Sequence, residues 1–128
     1  MSAMSDYLEL KVLDHVLSVT AYTMPSNVYV GLSTGSFGDD NSGTELSGNN
    51  YTRKEASFSA ASSGAITPSG TVEFNAATGS WGAISHFGIF DASTSGNLLI
   101  HGAFAAAKTI ATGDILRINA GDLDITAA

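Results

Sequence analysis

From Asn27 onward the chain is a series of short segments rich in β-branched and aromatic residues, each stopped by Gly, Asn, Asp or Ser. NVYVGLS (27–33), YTRKEASF (51–58), TVEFNA (71–76), GAISHFGIFD (82–91), NLLIHGAF (97–104), DILRINA (114–120) and DLDIT (122–126) all have strand character. No helical period recurs among them, so nothing is available to cover a parallel sheet. This punctuation predicts a mainly β chain, an antiparallel sandwich of jelly-roll-like form, as a single domain over residues 1–128.

One helix precedes the strands. Ser5 is suited to cap it, and Asp6 and Glu9 place negative charge at the favourable end of its dipole. Leu10, Leu13 and Leu17 recur at helical spacing, with Leu8, Val12 and Val16 widening the stripe. The helix is expected from about residue 6 to 18, ended by Thr20, Thr23 and Pro25, with strands from about residue 27. The three leucines are expected in the core with Val28, Val30, Phe58, Phe74, Ile84, Phe90, Leu99, Phe104 and Ile118. Met1–Ser5 and the polar loop 35–50 hold few apolar residues, and are expected to be ordered by contacts with other chains.

Composition removes several functions. Charged residues are 13% of the chain, about half the usual share, and the net charge is −7. Arg53-Lys54 is the one adjacent basic pair, which argues against nucleic acid and against anionic membranes. There are no cysteines, hence no disulfide and no thiolate chemistry. The N-terminus lacks the basic and apolar regions of a signal peptide, and no apolar run reaches membrane-spanning length. The chain is therefore expected to be made in a cytoplasm and to stay soluble.

Chemistry-bearing residues gather in SWGAISHFGIFD, residues 80–91. Strand alternation puts Ile84, His86, Gly88 and Phe90 on one face and Ser85, Phe87, Ile89 and Asp91 on the other. The side chains of Ser85 and His86 then point apart, and with Asp91 they make no catalytic triad. His86 and His101 could share a metal only with a third ligand, which the sequence does not identify. Asp39, Asn41 and Glu45 alternate in an oxygen-rich loop and are weak calcium candidates, without the spacing of a helix-loop-helix site. Tyr22, Tyr29, Tyr51 and Trp81 could stack on sugars. No cofactor and no catalytic residue is expected.

The chain resembles a family of small tailed-bacteriophage proteins labelled as tail-fibre or virion structural proteins. The likeness rests on YLELKVLDH (7–15), TAYTMP (20–25), VYVGLST (28–34), GTELSGNNYTRKEASF (43–58), ATGSWGAISHFGIFDA (77–92), GNLLIHGAF (96–104) and KTIATGDILRINAGDL (108–123). The resemblance implies a virion structural protein without catalytic residues. In that reading Trp81, His86, Phe87, Phe90, Asp91 and His101 are a structural signature. The absence of shaft repeats and of an anchoring segment leans towards capsid decoration on the outer surface of the particle. Tail-fibre or tail attachment and host-glycan binding are the alternatives. The expected partners are further copies of the chain, in a homotrimer or another cyclic oligomer, and virion proteins such as the major capsid protein or tail proteins.

Overall fold

The computed structural model describes residues 2–126. It is mainly β, with 36% strand and 11% helix. The elements are β1 (Ser2–Met4), α1 (Asp6–Val16), β2 (Val28–Ser33), β3 (Lys54–Ala56), β4 (Ala65–Ile66), β5 (Val72–Glu73), β6 (Gly82–Phe90), β7 (Leu98–Ile110), β8 (Arg117–Ile118) and β9 (Ile125–Thr126), with a 3-10 turn at Ala120–Asp122. Five strands form an antiparallel sheet in the order β1-β7-β6-β2-β3. Two small ribbons, β4-β9 and β5-β8, complete a sandwich-like arrangement.

Period-2 patterning decides which way the sheet faces. Val30 and Leu32 on β2 share a core with Phe87 and Ile89 on β6, and the ribbons add Val72, Ile118 and Ile125 to it. The alternate residues of β6 turn the other way, where Phe90 packs with Phe37 and Leu98 in a second cluster. Gly31 and Gly88 stand opposite each other across β2 and β6 on that second side. A Cβ at either would come within 2.9 Å of the Phe90 ring edge, so the ring lies in the hollow left by two missing side chains.

Pairing of β6 with β7 is irregular at Ile84/His86 and at Ile89/Phe90, and the first breaks the expected alternation. Ile84 pairs with Lys108 and His86 with Ala103, so Ser85 alone faces the four residues Phe104–Ala107. This bulge turns Ile84 into the core beside Phe87, not onto the side of Phe90. It also brings Ser85 Oγ to 2.7 Å from His86 Nδ1, where simple alternation would hold the two side chains apart.

The helix is capped as expected. Leu8 N–H donates to Ser5 Oγ, which itself donates to Leu98 O at 2.5 Å. Asp6 N–H donates to Asp39 O. Leu10, Leu13 and Leu17, however, lie outside the core, with 64%, 55% and 68% of their surface exposed. The helix rests on the body through the side that carries Leu8 and Val12, both partly buried. At 100° per residue the three leucines project from the opposite side. One helix on one sheet buries a single face, and the sequence offers two.

Val30, Phe74, Ile84, Phe90, Leu99 and Ile118 are buried as expected. Val28, Phe58 and Phe104 are partly buried against the core.

The two segments expected to lean on other chains are ordered within this one. Ser2–Met4 pairs with Ile100–Gly102 as an edge strand, which a tail reading misses; Met1 falls outside the described residues. The 35–50 loop is anchored by buried Phe37, by Leu46 N–H to Leu32 O and by Ser33 Oγ to Thr44 O.

Candidate functional site

The densest polar assembly of the molecule is built where the 35–50 loop, the approach to β3 and the β6–β7 turn converge. Arg53 is its centre. Nε of Arg53 donates to both oxygens of Glu45, at 3.1 and 2.9 Å, and Nη2 donates to Oε1 at 2.8 Å. Nη1 donates to Ala92 O and Ser95 O in the β6–β7 turn, at 2.8 and 2.7 Å. The guanidinium carbon lies 3.6 Å from the centre of the Phe90 ring. A planar fork that bonds a carboxylate and stacks on an aromatic face is a role that Lys cannot fill.

Tyr51 extends this cluster towards the main core. Its hydroxyl donates to Glu45 Oε2 at 2.5 Å and accepts from Leu32 N–H at 2.9 Å. Burial, reinforced by the Glu45 carboxylate, raises the Tyr51 phenol well above its ordinary value of 10.0. The ring stacks on Phe74 and meets Trp81 edge-on, 5.7 Å between centres. Trp81 Nε1 donates to Asn49 O, and Asn49 and Asn50 side chains bond Ser80 O and Ala76 O. Left-handed backbone at Asn49 and Asn50, with φ of 51° and 68°, turns the chain so that this is possible.

Gly31 makes room for the cluster. A Cβ there would lie 2.8 Å from Glu45 Oε2 and 3.2 Å from the Tyr51 hydroxyl. No buried side-chain nitrogen or oxygen among the described residues lacks a partner. Every strong group in this assembly is held by another, so it fastens loops and poises no side chain for proton transfer.

The residues singled out in the sequence are distributed as follows. Trp81, Phe87 and Phe90 are buried, Phe90 on the opposite side of the sheet from Phe87. Of the four aromatics that could stack on sugars, Trp81 is buried and Tyr22, Tyr29 and Tyr51 are partly buried, the Tyr51 hydroxyl being engaged by Glu45. Asp91 closes the β6–β7 turn by accepting from Asn97 N–H and Nδ2, at 2.7 and 2.9 Å. His101 Nε2 lies at hydrogen-bond distance from Asp39 Oδ1, 2.7 Å, while Glu45 is engaged by Arg53. Asn41 sits in the turn at φ 57°. The two carboxylates among the calcium candidates are thus held by different partners. Among the described residues no three His, Cys, Asp or Glu side chains form a metal-holding group.

His86 and His101 lie on paired strands, yet His86 faces Ala103 and His101 faces Gly88. Each imidazole has its own partner, Ser85 and Asp39 respectively. A cleft of about 540 Å³ beside β7, lined by Phe87, Phe104, Leu116, Leu123, Lys108 and Arg117 among others, is mainly apolar. Neither His86 nor any serine lines it.

The segments that meet at Arg53, Tyr51 and Trp81 are GTELSGNNYTR (43–53) and, in a second block, GSW (79–81) and GIFD (88–91). In comparison with known protein families the chain matches a family described as podophage GP4 fiber I protein gp80, over residues 3–126. The chain belongs to this fibre family. The matched span reaches from β1 to the last ribbon. No curated protein matches the chain. No helix among the described residues is long and apolar enough to cross a membrane.

Sequence reasoning met Arg53 only as half of a basic pair and Tyr51 only as an aromatic. The signal for both was available in the strand glycines. Gly31 and Gly88 interrupt otherwise good strands, a pattern that marks close approach of another group.

Proposed function

We propose that this protein is a non-enzymatic structural component of a tailed-phage tail fibre, or of the tail parts that carry one. The single observation that carries this reading is the match to a podophage fibre family over residues 3–126. It favours the tail over capsid decoration, the assignment towards which the lack of shaft repeats leans. The cross-bonded loops around Arg53 support a load-bearing role, since a fibre subunit transmits force through its fold and needs no exposed reactive group. Its partners in this reading are tail proteins and further copies of itself.

Copy number on the particle tests it. Quantitative mass spectrometry of purified virions, with antibody labelling in electron micrographs, should give a few to a few dozen copies, labelled at the tail. Hundreds of copies labelled over the head would reinstate capsid decoration.

A further inference from the structure

We infer that the outer edge of β7 beyond Gly102, with the cleft beside it, is a docking site for an extended segment of another polypeptide, added to the sheet as a further strand. β1 covers that edge only at Ile100–Gly102. From Ala103 to Thr109 no strand of the described residues lies on the outer side, and Ala105–Thr109 are all exposed. Phe104–Ala107 is met on the β6 side by Ser85 alone, and no loop of the described residues bonds its backbone. Backbone N–H and C=O groups are strong hydrogen-bonding groups. A ligand that satisfies a row of them at once is another chain in extended form.

The cleft supplies the side-chain half of the site. It holds about 540 Å³ between this edge and the segment Leu116–Asp124, and its apolar lining includes Phe87, Phe104, Leu116, Ile118 and Leu123. A strand of seven residues spans about 24 Å and sends every second side chain to one face, here the face of the cleft. Three alanines in succession, Ala105–Ala107, let its backbone come close. Charge narrows the partner. Lys108 stands on the β7 lip with no ion pair or side-chain hydrogen bond among the described residues, whereas Arg117 across the cleft is held by Glu73 at 2.6 Å. Asp122 and Asp124 lie on that facing lip. The segment that fits has apolar side chains at every second position, a carboxylate where it passes Lys108, and no acidic residue beside Asp122 and Asp124. The apolar strand segments of this chain are already paired in its sheet and ribbons, so a second copy has none to lend. Two such edges meeting directly would each present a bulge and Lys108, devices that discourage edge-to-edge pairing. An unfolded segment can follow the bulge.

The inference concerns the purified chain and does not depend on where the protein sits on a virion. Selection of short random displayed peptides on the immobilised chain should enrich sequences with apolar residues at every second position and an acidic residue among them. Hydrogen exchange should show the best of these peptides protecting amides within Ala103–Thr109 and leaving Leu10–Leu17 unchanged. Lys108→Glu should turn the selected preference from an acidic to a basic residue. Ala106→Pro removes a backbone donor from a stretch that β6 does not pair. It should keep the far-UV spectrum and weaken the peptide at least about tenfold, as for one or two lost backbone hydrogen bonds. The same peptide N-methylated at alternate amides should lose binding to the unaltered chain by a similar factor. Failure to enrich any such peptide, protection elsewhere on the molecule, or full binding by the N-methylated peptide would overturn the proposal. Oligomers of the unaltered chain that Ala106→Pro dissolves would overturn it too, by giving the edge to a second copy.

Discussion

The outer face of α1 and the assembly around Arg53 use apolar and polar residues in opposite ways. Around Arg53 everything is closed: a guanidinium with an 8% exposed side chain is satisfied by a carboxylate, two carbonyls and an aromatic face. On α1 the apolar side chains stay in water, with Leu17 more exposed than either member of the Arg53–Glu45 pair. The polar assembly is thus closed within the single chain, while the spare apolar surface of α1 lies where it contributes nothing to the monomer. A difference of this kind is expected when a domain must hold its shape alone and also be built into something larger.

Substitutions should break the closed region far more readily than the open one. The largest effect should come from Arg53→Ala. It leaves the Glu45 carboxylate partly buried beside Tyr51 and two loops unfastened, at a cost of about 3–5 kcal/mol in urea unfolding. Gly31→Ala comes next, at about 1–3 kcal/mol, because the added Cβ meets Glu45 and Phe90 at 2.8 and 2.9 Å.

Alkaline titration sharpens the comparison further. The Tyr51 phenol has its affinity for the proton raised by folding, so its contribution is complete below pH 10 and declines above it, at up to about 1.4 kcal/mol per pH unit. Tyr51→Phe should be less stable at pH 7 by about 1–3 kcal/mol, since it leaves Leu32 N–H without its acceptor and Glu45 without a donor. That variant should also lose this part of the decline above pH 10. The smallest effect is expected at the helix: Leu10→Gln in dilute protein should change stability by no more than about 0.5 kcal/mol.

How much of this could be read from the sequence follows from range of interaction. Capping by Ser5 and the β2 and β6 segments depend on neighbours along the chain, and their residue types announce them. The outward leucines were not legible, because periodicity reveals an apolar stripe but not whether a partner exists within the chain to cover it. The helix has two such stripes, and only packing decides between them. The meeting of Ser85 with His86 depends on a bulge created by Phe104–Ala107 on another strand, which no local pattern encodes. The Arg53 assembly needs Glu45, Ala92 and Ser95, up to 42 residues distant. Only the paired strand glycines hinted at it.

The contrast between a closed Arg53 assembly and an open α1 face is tested most directly by native-state hydrogen exchange. Amides of Leu32 and Leu46, which hold the closed region, should be strongly protected. Amides in the second half of α1, Leu13–Leu17, where both terminal leucines lie in solvent, should exchange far faster. Exchange at Leu32 as fast as in that half-helix would contradict the account.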